Sequence, residues 1–164
     1  MAEARGARRP PHIDLPNTPY FVSSRTHESR RLFVGAEAEA ACSELRAIRE
    51  QYGFLLLAFA FMPDHAHFVI VPAADSTLSR TMQLIKGRIS RRINDLLGAE
   101  GTMWQQGFYD KIVQTREQLN AFIEYTHKNP VEAGLVQRGE QYAFSSADGS
   151  CMVDYRRFFD ETRV

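Results

Sequence analysis

The stretch Phe61-Met62-Pro63-Asp64-His65-Ala66-His67-Phe68-Val69-Ile70-Val71-Pro72 sets two histidines at i and i+2, followed directly by four residues of high strand propensity. Residues two apart on a strand share a face, so His65 and His67 project together from one side of a sheet. Two imidazoles so placed suit a shared metal ion. They equally suit a solvent-exposed strand face, and the pair alone leaves both readings open. Pro63 favours an extended or turning backbone at Met62 and a strand that begins near Asp64. The preceding run from Phe54 to Met62 is apolar throughout and reads as a buried central strand. A tight turn at Pro63-Asp64 then folds the two strands into a hairpin.

Working outward, Thr18 to Thr26 has strand character centred on Tyr20, Phe21 and Val22. Ala36 to Tyr52 is built of good helix formers, with Ala41, Leu45, Ile48 and Tyr52 at helical spacing and Gly53 as a stop. A second helix starts from a cap within Asp75-Ser76-Thr77 and runs to about Leu97, closed by Gly98. Its apolar stripe is Leu78, Met82, Ile85, Ile89, Ile93 and Leu96/Leu97. Phe108 to Gln114 reads as a fourth strand. Thr115 caps a third helix, Arg116 to Asn129, which Pro130 ends or turns. The first six elements match an α+β, ferredoxin-like (RRM-like) βαββαβ unit with a four-stranded antiparallel sheet backed by two helices. The added C-terminal helix approaches the histidines if it docks on the open face of the sheet. Three regions follow: a flexible basic arm over 1–16, one domain over 17–146, and a tail over 147–164 whose aromatics pack back on the domain.

A chain of 164 residues, 44% hydrophobic and 24% charged, is that of a globular domain able to bury its own core. No apolar run approaches the ~20 residues of a membrane span, and the Arg/Pro-rich N-terminus carries no secretory signal. Cys42 and Cys151 lie far apart, outside any metal-ligand spacing, and read as reduced thiols of a cytosolic protein. Twenty basic and twenty acidic residues cancel, which by itself argues against a nucleic-acid partner. The charge is nevertheless segregated. Arg80, Lys86, Arg88, Arg91 and Arg92 face a single acidic residue between positions 80 and 95 and form a candidate phosphate track, together with Arg8 and Arg9 of the arm. Trp104 is a candidate platform for an unpaired base and, alternatively, a core residue.

In the third helix Leu119, Phe122, Ile123 and Thr126 form the stripe that faces the body, with Tyr125 and Asn129 stacked on one flank and His127 on the other. A phenol and an amide side by side can act as nucleophile and as oxygen ligand for a hard cation. They can also be a boundary aromatic and a helix C-cap.

The motif around His65-Ala66-His67 resembles the histidine–hydrophobe–histidine motif of single-tyrosine HUH transposases. Trp104-Gln105-Gln106-Gly107-Phe108-Tyr109-Asp110 and Tyr125-Thr126-His127-Lys128-Asn129-Pro130-Val131-Glu132-Ala133-Gly134-Leu135-Val136 resemble the REP-associated branch of that superfamily. The likeness runs from about Pro10 to Ser146, with the three motifs in order. It implies a metal-dependent endonuclease and strand-transferase acting on single-stranded, hairpin or palindromic-repeat DNA. Tyr125 would be the nucleophile forming a 5′-phosphotyrosine, and His65, His67 and Asn129 the ligands of Mg2+ or Mn2+. Asn129 stands where the insertion-sequence enzymes carry Gln. The implied location is the cytoplasm, at the nucleoid, as monomer or homodimer. Tyr109 is the competing nucleophile, without an amide partner in helical register. The alternative function is a hairpin-binding protein that has lost catalysis. A histidine-motif nucleotide hydrolase would need a further histidine where Val69 stands.

Overall fold

The structure, a computed structural model, describes residues 11–161; Arg8, Arg9 and the rest of positions 1–10 lie outside it. The elements are β1 (Tyr20–Arg25), α1 (Ala36–Tyr52), β2 (Leu55–Met62), β3 (His65–Val71), α2 (Leu78–Leu97), β4 (Tyr109–Ile112), α3 (Arg116–Glu132) and α4 (Met152–Glu161). The strands form one antiparallel sheet in the order β2-β3-β1-β4. This is the arrangement expected of a βαββαβ unit. Local chemistry sets the helix ends. The hydroxyls of Thr77 and Thr115 accept from the amides of Arg80 and Gln118, and Gly53 and Gly98 adopt left-handed conformations that close α1 and α2.

Strand alternation divides the core into two layers. Tyr20, Val22, Ala66, Phe68 and Ile70 point to the face covered by α1 and α2, meeting Leu45, Ile48, Met82, Ile85 and Ile89. Phe21, Val69 and Val71 point the other way, to Leu119 of α3 and Phe158 of α4. The stripe of α2 is buried from Leu78 to Ile93, whereas Leu96 and Leu97 are exposed.

β2 is fully apolar and buried along its length, yet it is an edge strand rather than the central one its composition suggests. The C-terminal segment supplies its cover. Phe61 donates its backbone N–H to Phe144 O (2.8 Å), Ser146 N–H donates to Phe59 O (2.9 Å), and Phe59 N–H donates to Ser146 Oγ (2.9 Å). Further along, Leu56 N–H donates to the Asp154 carboxylate at 2.9 Å, and Arg49 pairs with that same carboxylate, which is 2% exposed. An edge that would otherwise present free amides is thereby closed. The tail that does this is itself helical in α4, with Phe158 in the second core layer. Its aromatic content gives no sign of a helix.

Two expected boundaries shift. The segment before β1 is pinned from His12 onward. The Tyr20 hydroxyl donates to Ile13 O (2.8 Å) and accepts from Leu15 N–H (2.7 Å), and Asp14 accepts from Leu78 N–H at the start of α2 (2.8 Å). In α3 the helix passes through buried Pro130 and ends at Glu132, with Ala133 as C-cap. Asn129 therefore sits inside the helix and does not cap it.

Candidate functional site

β3 carries His65 and His67 on the face that α3 covers, and the register aligns Met62–His65–Arg25 and Ala60–His67–Ser23–Tyr109 across the sheet. The two imidazoles stand 4.8 Å apart, centroid to centroid. The Tyr125 ring meets His67 edge-on at 5.5 Å, and Phe21, beneath both, lies 5.5 Å from His67 and 5.7 Å from Tyr125. Phe122 stacks on Phe21 at 4.7 Å and fixes the rotation of α3 over the sheet. Tyr125 remains 44% exposed, so its hydroxyl end opens to solvent. One turn on, Asn129 is half-buried on the same flank, and its amide has no hydrogen-bond partner among the described residues.

The electrostatics distinguish the two histidines. His65 Nδ1 lies 2.6 Å from the Asp64 carboxylate, whose other oxygen is 3.8 Å from Arg25. A carboxylate at Nδ1 holds the proton there and leaves Nε2 with its lone pair outward, the arrangement usual for a metal-binding imidazole. Burial pushes the Asp64 carboxyl up, but the hydrogen bond from His65 and the charges of His65 and Arg25 outweigh it and hold the group below the ordinary carboxylate range. His67 is 5% exposed, and neither ring nitrogen has a partner. Burial, followed by His65 and Arg25, drives it down to about 3, so it stays neutral. An unpaired buried polar group costs about 1–3 kcal/mol. The side chain is thus held, at a cost to stability, in the form that donates a lone pair.

These residues line a cavity of about 420 Å³ bounded by Phe21, Ser23, His67, Tyr109, Lys111, Ala121, Phe122 and Tyr125. Tyr109 is distant in sequence from α3; the β1–β4 pairing brings it into the same cavity as Tyr125. Asp64 orients His65, a contact between adjacent residues. The placement of Tyr109 has no local signal, since it depends on the register of β4 against β1. On the other flank of α3, His127 Nε2 lies 2.8 Å from Ser146 Oγ, beside a larger cavity of about 820 Å³ between α3 and α4 that holds none of the expected site residues.

The expected DNA-contact residues divide. Arg91 and Arg92 are exposed and without partners among the described residues, and Arg80 reaches only Gln83. Arg88 is engaged by Glu44 and Gln51 of α1, 2.7 and 2.6 Å away, and is not free for a phosphate. Lys86 binds the carbonyls of Gln105 and Gly107 and so holds the loop before β4. Trp104 is 5% exposed, donates Nε1–H to Lys86 O (3.0 Å) and packs on Phe33, which makes it a core residue and not a stacking platform. All of α2 lies on the sheet face opposite the histidines. Among the described residues no group of three or more His, Cys, Asp or Glu side chains is placed to hold a metal; the candidate donors are the two imidazoles of β3 and, one turn beyond Tyr125 on α3, the Asn129 amide. No helix among the described residues is long and apolar enough to cross a membrane.

A tyrosine thus stands over one of two paired histidines on a single face of the sheet. The family model described as "Transposase IS200 like" matches residues 17–129, and the chain belongs to that family. Among solved structures, a REP-associated tyrosine transposase bound to a REP hairpin superposes with a TM-score of 0.70, at 18% identity, covering 89% of this chain and 82% of that one. A putative transposase from Deinococcus radiodurans R1 gives 0.52 at 24% identity, covering 77% of this chain and 98% of that one. At these identities the likeness establishes the fold. No curated protein matches the sequence.

Proposed function

We propose that this protein is a divalent-metal-dependent endonuclease and strand-transferase for hairpin or palindromic-repeat single-stranded DNA, with Tyr125 as nucleophile. One observation carries the reading: a buried, neutral imidazole with both nitrogens unpartnered stands against a half-exposed tyrosine in an open cavity. A purely structural histidine would be hydrogen-bonded. Family membership supports DNA processing. The REP hairpin bound to the similar REP-associated transposase suggests the substrate form, and the order of the three motifs suggests the same branch for this chain.

The donor set fits a weakly held divalent ion. His65 offers Nε2 because Asp64 occupies Nδ1, His67 offers an unpaired nitrogen, and Asn129 offers an amide oxygen one turn from Tyr125. When bound, the ion supplies Lewis-acid polarisation of the scissile phosphate. Imidazole ligands favour Mn2+ over Mg2+ by softness, and three neutral donors leave most of the attraction to the arriving phosphate. The chain's own residues do the rest. Phe21 and Phe122 seat the Tyr125 ring, and the Asp64–His65 pair fixes an imidazole beside His67. Tyr125 Oη forms the bond to phosphorus as the bond from phosphorus to the 3′ oxygen breaks. The phenol loses its proton, the departing oxygen gains one, and a 5′-phosphotyrosine and a free 3′-hydroxyl result. Attack by that or another 3′-hydroxyl reverses the step without water or a nucleoside triphosphate.

The test is incubation with 5′- and 3′-labelled hairpin DNA and Mn2+, followed by a denaturing protein gel. Wild type should retain the label on the 3′ side of the cut, and Tyr125→Phe and His65→Ala should not. Salt-sensitive hairpin binding with no adduct from wild type would instead indicate a hairpin-binding protein without catalysis.

A further inference from the structure

Among the described residues a single cation lines the cavity around Tyr125, and its position is set by the sheet. In the β1–β4 ladder Lys111 stands directly opposite Phe21, the ring on which both His67 and Tyr125 rest. Cross-strand partners share a face, so the lysine stem rises from the sheet beside that platform and lines the cavity with His67, Tyr109 and Tyr125. Lys111 is exposed and has no ion pair or hydrogen bond among the described residues. Its neighbour Asp110 points to the opposite face and pairs with His12, as strand alternation requires. No carboxylate among the described residues lines this cavity: Glu124, on the helix above, pairs with Lys128 on the other flank. Arg25, the other cation on this face, is set against Asp64. Among the described residues, Lys111 is therefore the cation of this cavity that no partner compensates.

We propose that Lys111 binds the non-bridging oxygens of the scissile phosphate and stabilises the extra negative charge that develops there when Tyr125 attacks. This rests on the function proposed above. A flexible ammonium is suited to an anion that arrives with the substrate and is not already fixed in the protein. A lysine on an edge strand also discourages strand addition, but that role is indifferent to the charge of any one phosphate. The two roles can therefore be separated.

The experiment is single-turnover adduct formation by the full chain on hairpin DNA with Mn2+, comparing wild type, Lys111→Met and Lys111→Arg. Hairpin affinity and the thermal midpoint are measured in parallel. Each protein is then given the same DNA with a neutral methylphosphonate at the scissile position. On normal DNA, Lys111→Met should be slowed about a hundredfold, with affinity changed less than about threefold, and Lys111→Arg should recover to within about fivefold of wild type. On the methylphosphonate, which carries one negative charge fewer before and during attack, the Lys111→Met rate should come within about threefold of wild type. Equal rates on normal DNA, or a methionine penalty that persists on the methylphosphonate, overturns the assignment while leaving Tyr125 in place. Absence of any adduct from wild type overturns the parent reading, and this one with it.

Discussion

Two imidazoles withdrawn from water lie on opposite flanks of α3, and the protein treats them in opposite ways. His127, half-buried on the side facing the C-terminal segment, meets Ser146 Oγ at 2.8 Å, and Ser146 in turn holds the edge of β2. His67, on the side facing Tyr125, is more deeply buried, and neither of its ring nitrogens has a hydrogen-bond partner among the described residues. Both are pushed below the ordinary histidine range by burial. The difference lies in what each satisfies. One is part of a closed network that seals a sheet edge; the other is kept desolvated and open toward a cavity, a state that lowers stability unless a ligand completes it. A desolvated histidine is therefore informative only once its partners are counted.

The largest expected effect is at Tyr125. Tyr125→Phe should reduce adduct formation at least about a thousandfold, with hairpin binding and the thermal midpoint unchanged, because the hydroxyl faces solvent. Next is the closed side, where Asp154→Ala strands Arg49 and the Leu56 amide. Removing one partner of a buried pair costs about 3–5 kcal/mol, to be read in urea unfolding, with activity per folded molecule retained. The third pair of variants crosses the two flanks. His67→Leu should reduce cleavage by about a hundredfold or more while leaving stability equal or raised, since it removes an unsatisfied polar group. Ser146→Ala should do the reverse, losing about 1–3 kcal/mol with cleavage intact. If both variants lose stability alike, the contrast between the flanks is wrong.

Acid should act through the same two side chains. For His67 the folded pKa of about 3 lies below the unfolded value of about 6.5. Between these values the unfolded chain binds a proton that the folded chain does not, so stability falls as pH drops below about 6.5 and stops falling near 3. The loss from His67 alone is about 2 kcal/mol by pH 5. His127 shifts in the same direction. Unfolding midpoints measured from pH 7 to pH 4 should decline, and less steeply in His67→Leu. The smallest effect is expected at Tyr109. Tyr109→Phe should change adduct formation by less than about threefold, because the residue shares the cavity but its ring makes no contact with His67 comparable to that of Tyr125.

What the sequence disclosed was what depends on near neighbours in the chain. The His-x-His alternation, the flanks of α3 and the caps at Thr77 and Thr115 are set by periods of 2 and 3.6, and the pattern of elements was sufficient for a four-stranded antiparallel sheet backed by two helices. What stayed hidden depends on partners distant in the chain. β2 reads as central because it is wholly apolar, and only the return of Phe144–Ser146 and Asp154 explains how an edge can be so. Arg88 looks like a free cation until Glu44 of α1 is placed beside it. Trp104 and Lys86 stabilise each other's segments and so leave the candidate DNA surface. Tyr109 and Lys111 enter the site through the β1–β4 register, which four residues of a half-exposed strand do not announce.

The most direct measurement is the identity of the residue that carries DNA. The adduct from wild-type protein and hairpin DNA would be trimmed with nuclease, digested with protease and sequenced by mass spectrometry. A 5′-linked nucleotide on the Tyr125 peptide is the predicted result. The same modification on the Tyr109 peptide, with Tyr125 unmodified, would contradict the assignment of the nucleophile and with it the reading of α3 as the catalytic helix.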